Sequence, residues 1–232
     1  MTLWARSGYS DIMLDEADRS TSTIMYIPPV FREDDPAAIR QIIREARLST
    51  LITATSEGLV ATPLPLFVME EGKQDVIYGH VAKPNPQWKL TPIGEALAIF
   101  PGPDSYITPS WYQSKREHGK VVPTWNYVAL HAYGPIEFFE DADRLFDVVT
   151  RLTALHENSR AELWAVTDAP ADFIKSQLRG IVGLRLPITR VEGKKKLSQN
   201  RPAADREGVA AGLAQSTRQD DRIISALIPR NL

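Results

Sequence analysis

Apolar residues along this chain recur with two different periods, and the switches between them mark its elements. Ile39, Ile42, Ile43 and Ala46 fall on one face of a 3.6-residue repeat. Asp35 stands before them as an acidic N-cap with proline at the first helical position, so a helix is predicted from Pro36 to Arg47. Ser49–Thr55 and Leu59–Val68 are β-rich and separated by Glu57-Gly58, a hairpin signal. Glu71-Gly72 turns the chain into a third strand, Asp75–Ala82. Ala96–Phe100, bounded by Gly94 and Pro101, reads as a fourth, and Pro101–Lys120 as loop. Val121–Phe139 is the longest extended stretch, with Pro135 marking a bend or a sheet edge. Helices are predicted at Ala142–His156 and at Pro170–Leu178, the latter capped by Asp168. A strand over Gly180–Arg190 and helices over Ala203–Ala214 and Gln219–Leu227 complete the pattern. Strands dominate the first half and return near residue 185, which fits an α+β fold, an antiparallel barrel decorated by helices, better than alternating βαβ units.

Composition narrows the setting. Met1–Thr23 is polar and irregular, so residues 1–24 are expected to form a poorly ordered extension and residues 25–232 a single domain. Apolar residues make up 43% of the chain and charged residues 24%, ordinary values for a protein with a substantial core. The net charge is −2 and the isoelectric point about 6.1, whereas a free-standing DNA-binding module is usually basic. DNA as a partner therefore has no support from charge, and Asp220 and Asp221 make the last helix a poor groove reader. The absence of cysteine excludes disulfides, thiolate metal sites and cysteine nucleophiles. No apolar run approaches the ~18 residues of a membrane helix, and no secretory leader is evident, so a cytoplasmic location is expected. Nucleotide-binding glycine motifs are missing, and His80, His118, His131 and His156 lack ligand spacing, so no metal is expected.

Three segments hold residues that core packing does not demand. Gly79–Trp88 leaves a strand and turns at two prolines, where free backbone N–H groups, Lys83 and His80 could hold an anion; a plain turn anchored by Trp88 accounts for it as well. Over Val121–Tyr133 a two-residue period puts Val121, Pro123, Trp125, Tyr127, Ala129, His131 and Tyr133 on one face and Thr124, Asn126, Val128, Leu130 and Ala132 on the other. The aromatic face suits core packing, a subunit interface or the wall of a flat ligand's pocket. Gly193–Arg201 concentrates lysines, Ser198, Gln199, Asn200 and Arg201, readable as a solvated turn or as a recognition site for phosphate or carbonyl groups.

Four motifs in order, Gly79–Trp88, Phe100–Tyr112, His118–Tyr127 and Glu192–Pro202, closely resemble the PaiB family, described as FMN-binding negative transcriptional regulators. The resemblance runs from Met25 to about Ala214. It implies an antiparallel split β-barrel like that of pyridoxamine-phosphate oxidase, with peripheral helices, normally a homodimer with cofactor sites at the interface. Carried onto this chain, it assigns FMN contacts to Thr62, Leu64, His80, Val81, Lys83 and Asn85. Trp125, Asn126, Gln199 and Arg201 then close the pocket from another strand or from the second subunit. Many relatives carry His-Leu-Pro where this chain has Pro63-Leu64-Pro65, and Lys83-Pro84-Asn85-Pro86 replaces a basic-Ala-Asn-Pro sequence. Related barrels bind haem, which makes haem the alternative cofactor, and a small flavin-dependent oxidoreductase using NAD(P)H is the alternative activity.

Overall fold

Prolines route the chain between two sheets. The computed structural model describes residues 25–46 and 48–230, so the expected extension over 1–24 and the predicted helix end at Arg47 lie outside the described residues. The strands are β1 (Arg32–Glu33), β2 (Ser49–Thr55), β3 (Gly58–Leu64), β4 (Leu66–Glu71), β5 (Gln74–Ala82), β6 (Ala96–Ile107), β7 (Thr124–Gly134), β8 (Glu137–Phe139), β9 (Ile181–Pro187) and β10 (Arg190–Lys196). The helices are α1 (Pro36–Glu45), α2 (Gln113–Glu117), α3 (Ala142–Glu157), α4 (Ala171–Leu178), α5 (Ala203–Ala214) and α6 (Gln219–Leu227). A six-stranded sheet has the order β1-β10-β7-β6-β2-β3 and a four-stranded sheet the order β4-β5-β9-β8, with antiparallel neighbours throughout.

Pro65 is the one residue between β3 and β4, and because it cannot donate to a ladder the chain leaves one sheet there and enters the other. A second crossing runs from β5 to β6, and Pro135 lies at the third, from β7 to β8, which is the bend its position predicts. Pro187 ends β9 before the fourth crossing, to β10. Two of these crossings touch: a Cβ on Gly134 would lie 1.9 Å from the Pro187 carbonyl oxygen, so only glycine permits the contact. The result is a split barrel. Its interior is filled by Leu51, Leu66, Ile77, Phe100, Leu130 and Leu184, among others, with α1 across one end. Asp35 caps α1 by accepting from the Ala37 N–H at 3.0 Å, and Ile42 and Ile43 are its buried face.

Two further cores flank the barrel. α3 and α4 cover the outer side of the four-stranded sheet over Phe67, Phe139, Leu145 and Val148. α5 and α6 pack on the projecting end of the long sheet over Ile107, Tyr112, Leu213 and Ile224.

The structure departs from the sequence pattern in several places: the predicted strand Leu59–Val68 is divided at Pro65 between the two sheets, and the predicted loop Pro101–Lys120 contains α2. β6 does not stop at Phe100: a bulge absorbs Pro101 to Asp104, after which Asp104–Ile107 pair again with Tyr127–Thr124. The prolines at 101 and 103 that suggested a loop sit in that irregularity. The predicted strand over Gly180–Arg190 is divided at Ile188-Thr189, and the lysine run after it is itself a strand, β10. Asp168 accepts from the Ala165 N–H at 2.8 Å and so closes a 3₁₀ turn before α4, whose own N-cap, Pro170, makes no side-chain bond.

Candidate functional site

The registers define two faces of the six-stranded sheet. Leu51, Ala98, Leu130 and Ala132 point inward. Ile52, Leu97, Ile99, His131 and Tyr133 point the other way, away from the barrel. On β7 the sequence-derived split holds, with Asn126, Val128, Leu130 and Ala132 buried and Trp125 half exposed at 50%. The aromatic row is therefore not barrel core.

Six of the ten predicted contacts gather where β3, β5 and the turn after β5 meet. Leu64 and Val81 are barrel core, so only their backbone could reach a ligand. Thr62 accepts from the Asn85 side-chain amide at 3.0 Å, and the Asn85 carbonyl oxygen accepts from the Gln87 N–H at 2.9 Å. Asn85 thus caps the 3₁₀ turn Pro86–Lys89 and ties it to the β2–β3 hairpin. The backbone N–H groups of Lys83 and Asn85 are also taken, by the Gly180 and Ala82 carbonyls at 2.8 and 2.9 Å. Lys83 pairs with Glu140 and sits 5.8 Å from the Trp88 ring centre. His80 pairs across the ladder with Gly183, which abuts Phe139, and this places it on the helix-covered side of the four-stranded sheet. Burial holds its imidazole below the usual histidine range, and its Nδ1 has no partner among the described residues. Gln87, fully buried, was not singled out from sequence. Its amide donates to Thr53 Oγ1 at 3.1 Å and to the Val60 carbonyl at 3.3 Å. The capping order Asn-Pro-Gln was its available signal.

The other four lie at the far end of β7 and β10. Asn126 is buried and exchanges hydrogen bonds with Ser198 at 2.9 and 3.2 Å, holding a residue with φ of 63°. Gln199 folds onto its own turn, accepting from the Leu197 N–H at 2.6 Å and donating to the Lys195 carbonyl at 2.5 Å. Trp125 meets Tyr106 edge-on at 5.9 Å, and the Arg201 guanidinium lies 4.8 Å from the Tyr112 ring centre.

Beside them β10 presents Lys194 and Lys196 on the outward face, opposite Ala129 and Tyr127. The Lys194 ammonium lies 5.3 Å from the Tyr127 ring centre and donates to the Tyr26 carbonyl at 2.8 Å. The Lys196 ammonium donates to Thr124 Oγ1 and the Trp125 carbonyl at 2.5 and 2.6 Å. Burial first, then Lys194 and Arg201, hold Lys196 below the usual lysine range. None of these three cations has a carboxylate partner among the described residues. Further along the face, Glu192 is buried, accepting from Tyr133 Oη at 3.1 Å and from the Met25 N–H at 3.0 Å and pairing with Arg190. Its neighbour His131 is lowered by burial, with Glu192 opposing. The two-residue spacing of Glu192, Lys194 and Lys196 was the sequence signal for a strand with one charged face, hidden within a run that reads as solvated charge.

One chain does not join the two groups. Thr62 lies opposite Leu51, Leu51 opposite Ala98 and Ala98 opposite Ala132. Asn126 is six residues further along β7, about 20 Å at the strand rise, and three strand spacings, roughly 14 Å, separate β3 from β7.

Two antiparallel sheets, repeated crossings between them and a basic, aromatic outer face define a flavin-type split barrel. Residues 25–190 match the family described as "Putative FMN-binding domain", and the chain belongs to that family, on its PaiB branch. It is 35% identical over 182 residues to "Protease synthase and sporulation protein PAI 2" of Bacillus subtilis, covering 78% of this chain and 85% of that protein. Among solved structures it shares its fold with the FAD and heme binding protein from Mycobacterium smegmatis, at TM-score 0.52 and 16% identity over 71% of this chain and 73% of that one. The flavocytochrome Anf3 from Azotobacter vinelandii is similar at TM-score 0.50 and 13% identity, over 71% and 69% of the two chains.

Proposed function

We propose that the chain binds FMN on the outward face of the six-stranded sheet, between two copies of itself, and works as a PaiB-like negative transcriptional regulator. The observation that carries the cofactor reading is the group of Lys194, Lys196 and Arg201, three cations without a carboxylate partner among the described residues, beside Trp125, Tyr106 and Tyr127. A phosphate dianion neutralises such a group, and charge-assisted contacts to phosphate are strong. The aromatic row offers a flat apolar wall to an isoalloxazine ring. These residues therefore fit FMN, whose own chemistry is hydride or electron transfer.

The dimer reading rests on the separation between the Thr62–Asn85 group and the Trp125–Arg201 group. Thr62 lies opposite Leu51 on the inward side, so its group could share a pocket with the Trp125–Arg201 group only where the β3 edge of a second copy meets the outward face. Leu59 at 79% exposure and the half-buried Ile52, Leu97 and Ile99 give that face an apolar centre suited to association. The regulatory role follows from the PaiB relationship rather than from charge.

Purified protein is expected to release FMN on denaturation and to run at twice the mass of one chain. Ile99→Glu is expected to yield monomers that retain no flavin. Flavin-free protein with no affinity for added FMN overturns the reading, and a Soret band assigns the face to haem. The half-buried His131 supplies a proton donor on the same face, which favours an oxidoreductase as the second reading. Oxidation of NAD(P)H by the FMN-loaded protein, with no salt-sensitive binding to promoter DNA, selects that reading.

A further inference from the structure

The inward side of the long sheet holds a cavity of about 680 Å³ that includes none of the ten residues assigned to the flavin. Its floor is the cross-strand pair Val128 and Lys195. One wall is a single stripe of α1: Ala38, Gln41, Ile42 and Glu45. The opposite wall is a stripe of α6: Gln219, Asp220, Ile223 and Leu227. The β6 bulge at Pro101–Pro103 closes one side. The cavity lies between the barrel core and the α5–α6 core. α6 follows the family-matched segment 25–190, so one wall comes from outside it.

Two properties specify a ligand. Ile223 and Leu227 remain 38% and 40% exposed and Leu48 52%, so filling the space removes apolar surface from water. The volume falls in the range of small-molecule sites. The charges are unbalanced: the Lys195 ammonium is matched by Glu33 at 2.7 Å, while among the described residues the Glu45 carboxylate receives only the neutral Gln41 amide, also at 2.7 Å. Asp220 has no hydrogen-bond or ion-pair partner among the described residues. Among the described residues the walls thus carry an excess of negative charge, which disfavours a fatty-acid anion and favours a protonated nitrogen.

We propose that this cavity is a second binding site, distinct from the flavin face, for a small amphiphilic amine. The ligand's apolar body lies between α1 and α6, and its ammonium group is held by Asp220. Because the site uses the inward face, it stands or falls independently of FMN.

The test compares three probes with one body and different heads, n-decylamine, n-decanol and n-decanoate, each below its micelle concentration, by calorimetry and chemical-shift mapping on the full chain. Saturable binding of one amine per chain is expected, with shifts concentrated in α1 and α6. The amine should bind about ten-fold more tightly than the alcohol, as expected for a hydrogen bond to a charged group, with decanoate weakest. Asp220→Asn should abolish the difference between amine and alcohol while leaving the alcohol's affinity unchanged. Ile223→Trp and, separately, Ala38→Phe should fill the space and remove binding of all three, with thermal melts confirming that each is folded. Equal affinities for the three heads, shifts elsewhere, or amine binding retained in a folded cavity-filled variant overturns the proposal. So does a change of oligomeric state in those variants without any probe binding, which assigns the groove to a second copy.

Discussion

Lys83 and Arg201 are the two cations among the ten FMN contacts that the family resemblance assigns, and the fold gives them different neighbours. Lys83 is held by Glu140 and lies over Trp88, whereas Arg201 stands near Lys196. Lys83→Ala is accordingly expected to change FMN affinity by less than about two-fold, since an exposed ion pair contributes little. Lys196→Ala combined with Arg201→Ala is expected to weaken it by roughly ten-fold or more. Flavin-fluorescence titration distinguishes the two, and a large loss in Lys83→Ala would return the phosphate to the turn after β5. At this scale the sequence marks which segments matter but not what each side chain touches. Asn85 and Gln199 carry amides that suit a ligand, yet both close local turns, a use set by φ and ψ rather than by residue type.

Elements were more legible. The limits of α5 and α6 agree with the predicted ranges, and the α1 start follows from Asp35-Pro36. β10 was hidden because periodicity arguments weigh apolar residues, and its alternation is one of charges over glycine and aromatic neighbours. The projecting half of β6 was hidden by prolines that a bulge accommodates. α5 shows what this costs in freedom to vary. A Cβ on Gly208 would lie 2.1 Å from the Trp111 carbonyl oxygen, so Gly208→Ala must push the helix off its seat. It is expected to destabilise the protein by about 1–3 kcal/mol, as overpacking generally does. Chemical denaturation measures this, with the loss larger than for alanine placed at the exposed Glu207 in the same helix.

For the whole molecule, acidity is the accessible variable. Burial lowers the pKa of His80 and of His131 in the folded chain, so the unfolded chain takes up protons first as pH falls through ~6.5. The stability these neutral rings support is complete above that value and is lost as pH falls toward their folded pKa. The melting temperature is expected to be lower at pH 5 than at pH 7.5, and the fall should be shallower in His80→Gln. A fall of equal steepness in that variant removes His80 as a source. The barrel itself was legible from strands that cluster early and return late. Its division into two sheets was legible only through proline, and the distance between the two groups of candidate residues required the register.

The pairing of β1 with β10 sets a schedule as well as a shape. Arg32 lies opposite Lys194, and Met25 reaches Glu192 across 167 positions of sequence. During synthesis the first strand therefore emerges roughly 10 to 30 s before its partner exists, at ordinary elongation rates. The β2–β3, β4–β5 and β6–β7 hairpins can form in that interval from local contacts. The segment around β1 is thus among the last parts of the six-stranded sheet to be secured, and the outer face against β10 is completed only after β10 itself has been made.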